Sequence, residues 1–167
     1  MERPGRGDLM RESPPFKNGV SLCYLTINRG KKAIILDLKN PGDIGKALST
    51  AQHCDVVLEN WRPGAADRLG IGYDANAAAN PRIVYAASSG FGRSGPYRRK
   101  PCMDPIAQAI SGLTSISGAP GGEGEKLRFV LADFFSAMIT AKGCSRDSMR
   151  AKPPAKANAS IARNSKP

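Results

Sequence analysis

The sequence predicts an α/β fold with an open, mostly parallel sheet, and three observations predict it. Short apolar, β-branched runs recur along the chain: KAIILDL at 32–38, DVVL at 55–58 and IVYAA at 83–87. Between them, apolar residues recur at helical spacing, as in Ile44, Ala47, Leu48 and Ala51. The runs also stop abruptly in polar residues, Pro or Gly, as buried strands do when they deliver side chains to a loop.

Taken in order, KAIILDL reads as a first strand closing at Asp37 and Lys39. Asn40-Pro41 then starts a helix, with Pro41 in its first turn, that runs through His53. The strand at 55–58 follows, so 32–58 reads as one strand–helix–strand crossover. Pro63 opens a short helix over 62–69, and 73–79 reads as a further helix stopped before Asn80-Pro81. After the strand at 83–87 comes a loop rich in Gly and Arg, SSGFGRSGPYRRKP at 88–101. Asp104 is expected to cap a helix from Pro105 to about Leu113 with Ile106, Ile110 and Leu113 on one face. A glycine-rich loop at 118–125 follows, and Asp133 stands where it would cap a last helix over 134–142.

The 167 residues suffice for one domain with a core. No apolar run approaches a membrane span, and Met1 is followed by Glu2 and Arg3 rather than an apolar leader segment. Cys23, Cys54, Cys102 and Cys144 are scattered without a CxxC pair, so no metal site is expected and reduced thiols in a cytoplasm are the default. The net charge of +11 suggests nucleic acid until it is located. Residues 144–167 hold six cations against Asp147 alone, which makes up five of those eleven charges. That segment lacks apolar periodicity and reads as a disordered basic tail. Codons for MRAKPPAKANASI (149–161) can also encode ARETTGKGQCID when read two bases later, which motivates the hypothesis of a frameshift near Gly143 or Cys144.

DVVLENWRPG at 55–64 is the densest candidate site. In open α/β sheets ligands sit beyond the carboxyl ends of the strands, so Asn60, Trp61 and Arg62 would stand where a ligand is gripped. An ordinary strand and turn is the bland alternative.

The ordered motifs NRGKKAIILDLK (28–39), DVVLENWRPGAADRLGIGYD (55–74), NPRIVYAASSGFGRSGPY (80–97), DPIAQAISGL (104–113) and LADFF (131–135) resemble the class III coenzyme A transferases. That family includes formyl-CoA and carnitine-type CoA transferases and the α-methylacyl-CoA racemases. The resemblance covers 1–143 and implies an incomplete Rossmann-like large domain, with 144–167 as a separate tail. It also implies that the chain is a fragment, because such enzymes are much longer and form interlocked homodimers.

The resemblance further implies a reaction. An aspartate carboxylate attacks an acyl-CoA thioester, a mixed anhydride and then an aspartyl-CoA thioester form, and a carboxylic acid acceptor completes the exchange. Asp133 matches that nucleophile; helix capping is the structural alternative. No cofactor is permanently bound; the coenzyme A thioester is itself the substrate. The family's CoA contacts fall on Arg3, on Leu36, Asp37, Leu38 and Lys39, on Asn60, Trp61, Arg62 and Arg68, and on Pro101, Cys102, Met103 and Asp104, just before the helix with Gln108. For Trp61, core packing stands beside contact with adenine or pantetheine. A lysine that some members carry near position 101 sits one place earlier here, at Lys100. Racemases carry a histidine immediately before the aspartate at 104, where this chain has Met103, so transferase is expected over racemase. A nucleic-acid-binding protein lacks stacking aromatics beside its basic residues, and a non-functional gene remnant is the remaining alternative.

Overall fold

The computed structural model describes residues 1–150 and the backbone of residues 158–163. The chain forms two compact units, Met1–Ala47 and Leu48–Pro167.

In the first unit, a 3-10 turn over Leu9–Glu12 is capped by Asp8, whose side chain accepts the Met10 N–H. Strands β1 (Phe16–Lys17) and β2 (Val20–Ser21) pair antiparallel. Their two-residue turn, Asn18 and Gly19, has φ of 51° and 76°, the positive pair that a tight hairpin requires. Ser21 then caps α1 (Leu22–Asn28) by accepting the Tyr24 N–H. One carboxylate gathers these pieces. Glu2 accepts Arg11 through both Nε and Nη2 at 2.9 Å, the Tyr24 hydroxyl at 3.0 Å and the Asp8 N–H at 3.1 Å. Arg11 also lies over the Tyr24 ring, 3.9 Å from its centroid.

The strand expected at 32–38 is reduced to a single parallel bridge between Glu2 and Ile35. Glu2 donates to Ile34 O at 2.8 Å and accepts from Leu36 N at 3.0 Å. The next donor along the ladder would be residue 4, and Pro4 has no N–H, so the ladder stops. The expected 32–58 crossover is therefore absent.

Helix α2 (Pro41–Ala51) begins where Asn40 Oδ1 accepts the Gly42 N–H. Its carboxyl end is secured from a distance: Asn80 Nδ2 donates to Ala51 O at 3.2 Å and to Cys54 O at 2.9 Å. In the second unit β3 (Val56–Glu59) leads through α3 (Ala65–Arg68) and α4 (Tyr73–Ala79) to β4 (Val84–Ser89). Beyond these stand α5 (Asp104–Ile110), a 3-10 turn (Leu113–Ile116), α6 (Leu131–Arg150) and β5 (Asn158–Arg163). The sheet order is β3-β4-β5, all parallel. Residues 84–88 of the central strand are all buried, as a strand covered on both faces must be.

Two expectations are corrected here. Helix α6 extends at both ends beyond the expected 134–142 and runs unbroken from Leu131 to Arg150. Adding turns to a nucleated helix is far easier than starting one, and Ser, Arg and Met at 145–150 are tolerable helix formers despite their polarity. The segment expected to be disordered also supplies β5, because the open edge of β4 offers a backbone ladder that needs no apolar pattern. The remainder of that expected tail, 151–157 and 164–167, lies outside the described residues. On α5 the face that carries Ile106 and Ile110 is exposed, while Asp104 and Gln108 are buried.

Two outcomes follow from these contacts. Arg11 foremost, with the Asp8 amide and Tyr24, holds the Glu2 carboxyl down at about 2, against an ordinary 4.5. Its contribution to the first unit is complete above about pH 4.5 and is lost as pH falls toward about 2. Amide exchange at α1 should therefore accelerate through that window, and Glu2→Gln should remove this part of the acid dependence; an identical acid profile in the variant would refute it. Asn80→Ala leaves two carbonyls without their donor and should cost about 1–2 kcal/mol in urea denaturation.

Candidate active site

The carboxyl end of β4 gathers two of the candidate segments, at Asn60 and at Cys102. As β3 ends, Glu59 Oε2 accepts the Trp61 N–H at 2.7 Å and turns the chain. Burial pushes the Glu59 carboxyl up, and the Trp61 amide and the Arg93 charge oppose that shift. Asn60 Nδ2 donates to Ser88 O at 2.9 Å and ties this turn to the end of β4. Asn60 therefore serves the backbone with its amide, a role that the ligand-grip expectation did not include. Trp61 is 37% exposed, so it is not a core residue. Gly64, at φ 79°, lets the chain turn into α3, and Arg62 and Arg68 flank that turn as exposed cations.

The loop after β4 folds back against the same edge. A Cβ at Gly90 would overlap the Cys102 side chain, so only glycine allows the close approach of these segments. Arg93 reaches Asp67 of α3 at 3.1 Å, and Phe91 meets Tyr97 edge to face at 5.5 Å between centroids. Lys100 Nζ lies over the Tyr97 ring, 4.5 Å from its centroid. Pro101 and Met103 are exposed, Met103 at 73%.

Asp104 departs most from expectation. It does not cap α5: the residue preceding that helix is Met103, and no side chain caps the first turn. The Asp104 side chain instead turns inward, only 6% of the residue exposed, and crosses to α6. Its Oδ1 accepts the Ala132 N–H at 2.7 Å and its Oδ2 accepts Gln108 Nε2 at 2.5 Å. Asp104 thus does for α6 what was expected of Asp133, and with both oxygens engaged it is a brace rather than an open ligand contact. Asp133, freed from capping, is the third residue of α6 and is exposed. Partial desolvation of its carboxyl end, followed by the negative charge of Asp104, raises its pKa above the ordinary aspartate value. Burial first, and then the charges of Asp133 and Asp104, raise the Cys102 thiol as well. Cys102, Asp104 and Asp133 therefore share one electrostatic neighbourhood.

Gln108 is the residue that sequence reasoning passed over. It is 1% exposed and makes three bonds: to Asp104, from Leu127 N at 2.8 Å to its Oε1, and from its Nε2 to Phe129 O at 3.2 Å. The available signal was the Asp–Gln pair four residues apart on one helix face.

Arg3, Leu36, Asp37, Leu38 and Lys39 lie in the Met1–Ala47 unit. Arg3 and Lys39 are exposed; Leu36 is buried, so its side chain serves that unit's core rather than a ligand. Asp37 Oδ1 accepts the Lys39 N–H at 3.0 Å and shapes the turn into α2. A separate cavity of about 240 Å³, lined by His53, Cys54, Asp55 and Arg82 among others, opens at the amino ends of β3 and β4. It lies at the opposite edge of the sheet from Asp133 and plays no part in this site.

The comparisons with known proteins agree with one another. The chain is 45% identical over 122 residues to the acetyl-CoA:oxalate CoA-transferase of Acetobacter aceti, covering 73% of this chain and 31% of that protein. It is 35% identical over 144 residues to the succinyl-CoA–D-citramalate CoA-transferase of Chloroflexus aurantiacus, covering 86% of this chain and 36% of that protein. The chain thus spans about a third of the length of these curated relatives. Among solved structures, Rv3272 from Mycobacterium tuberculosis superposes with a TM-score of 0.87 at 30% identity, over 98% of this chain and 46% of that one. A CAIB/BAIF family protein from Brucella suis gives a TM-score of 0.87 at 26% identity, over 95% of this chain and 43% of that one. The profile of CoA-transferase family III matches residues 1–153, and the chain belongs to that family.

Proposed function

We propose that this chain carries the nucleophile-bearing part of an acyl-CoA:carboxylate CoA-transfer site, with Asp133 as the attacking carboxylate. The observation that carries this is the contrast between two neighbouring aspartates. Asp104 is buried with both oxygens engaged, whereas Asp133 stands exposed in the first turn of α6, beside the carboxyl end of the parallel sheet. That helix end also favours negative charge.

An Asp133 oxygen attacks the thioester carbonyl; the C–S bond breaks and CoA leaves as the thiolate, giving an acyl-aspartyl anhydride. The thiolate then attacks the aspartyl carbonyl, releasing the donor acid and leaving an aspartyl-CoA thioester. The acceptor carboxylate repeats the two steps in reverse order and restores Asp133. The Cys102 thiol, raised by burial and by both aspartates, stays protonated and does not compete.

For coenzyme A, exposed Arg62 and Arg68 supply guanidinium groups suited to phosphate. Trp61 offers an accessible ring for the adenine or the pantetheine arm. Met103 cannot exchange a proton, which argues for transfer over racemisation. The named activities of the relatives, on oxalate and D-citramalate, support a carboxylic acid as acceptor. We assign the reaction to the cytoplasm, since four unpaired cysteines fit a reducing compartment. Phe134, Phe135, Met138 and Ile139 expose an apolar face on α6, which suits burial in the interlocked dimer that the family resemblance implies.

Incubation with an acyl-CoA followed by mass spectrometry should find CoA attached at Asp133, and Asp133→Asn should abolish it; attachment that persists in the variant would refute the assignment. Arg62→Ala should weaken CoA binding by about tenfold in calorimetry, the loss of a charge-assisted bond. The rate of attachment should rise with pH as Asp133 ionises, with its midpoint above the ordinary aspartate value because desolvation and Asp104 both raise it. Asp104→Asn removes one of those causes and should move the midpoint down.

A further inference from the structure

We propose that Gln108 is the positioning residue for Asp133, holding the approach to α6 so that the carboxylate is presented in one place. This rests on Asp133 being the nucleophile. Residues 117–130 enter α6 from an irregular segment containing Gly118, Gly121, Gly122 and Gly124, with no strand ladder to fix it. Gln108 reaches across to this segment from α5. Its Oε1 accepts the Leu127 N–H at 2.8 Å and its Nε2 donates to Phe129 O at 3.2 Å, which pins both sides of Arg128. The same Nε2 donates to Asp104 Oδ2, and Asp104 Oδ1 receives the Ala132 N–H. Gln108, directly at 127 and 129 and through Asp104 at 132, therefore organises this path, and Asp133 is the next residue.

The burial of Gln108 makes this arrangement directional. Each group has a fixed sense: Leu127 and Ala132 donate, Phe129 accepts, and an ionised Asp104 can only accept. A glutamine satisfies all of them in one orientation. Glutamate in its place would set two carboxylates against each other, and asparagine in place of Asp104 would set its amide against the amide of Gln108. Exchanging both restores the match. In the double variant Asp104→Asn/Gln108→Glu, the amide introduced on the first turn of α5 accepts from Ala132 through its oxygen. Its NH₂ donates to the carboxylate introduced one turn later, which also accepts from Leu127. The bond to Phe129 O is lost, and that carbonyl then faces a carboxylate oxygen, so the restoration is partial.

The test is a cycle of Gln108→Glu, Asp104→Asn and the double variant in the whole chain, followed by amide exchange at Ala132 and Leu127 and by single-turnover attachment of CoA at Asp133 from acetyl-CoA. Each single variant should accelerate exchange at these amides by about tenfold or more. Each should slow the maximal attachment rate by about tenfold with the half-saturating acetyl-CoA concentration unchanged. The double variant should recover at least about threefold in both quantities over either single variant, an outcome that general destabilisation of α5 would not give. Single variants that match the parent, or a double variant no better than its components, would overturn the proposal. If exchange follows the cycle while the parent chain takes up no CoA at Asp133, the nucleophile assignment fails and the bracing by Gln108 stands.

Discussion

The Asp104 carboxylate, buried between two helices and matched to two N–H donors, is the contact on which the site depends. An unpaired carboxylate at that depth would cost several kcal/mol. The Ala132 amide at the open end of α6 and the Gln108 side chain remove that cost. The bond to Ala132 also supplies a donor of the first helical turn with an acceptor from a residue 28 positions away. Where α6 begins is thus settled by a tertiary contact, and Asp133 is left available because another residue performs the capping.

The central strand does the corresponding work on the other side of the site. Residues 84–88 are buried, flanked by parallel neighbours, and so rigid that whatever attaches to their carboxyl end is held in place. Asn60 attaches through Ser88 O, and the segment at 102–104 packs close because Gly90 has no side chain. The ends of two strands and the start of a helix thereby meet through one side-chain amide and one missing Cβ. The Arg93–Asp67 pair adds a weaker exposed tie between the same loop and α3.

The exposed apolar side chains complement this polar interior. On α5 the isoleucines face outward and the Asp–Gln pair inward, and on α6 two phenylalanines, a methionine and an isoleucine are uncovered. Apolar residues at helical spacing show that a helix has an apolar face, not which surface covers it. In a chain spanning about a third of its relatives' length, those faces have no cover among the described residues.

By itself the sequence determined the alternation of strands and helices, the bounds of α4, the run that becomes β4, and the family, through motifs kept in order. These are local properties, written in apolar period, proline placement and short motifs. It also marked Asp133 and Asn60-Trp61-Arg62 as candidates, though not what each touches. Only the tertiary structure decided that KAIILDL makes a bridge rather than a strand, because the missing N–H belongs to Pro4. Only it decided that α6 starts at Leu131 and continues to Arg150, and that 158–163 adds a strand. The Asp104–Gln108 spacing was legible in the sequence, but not the inward turn of the pair or the partners it meets. Burying a polar pair is favourable only when its partners, here amides 19 and 28 residues away, come to meet it, and no local pattern records that meeting.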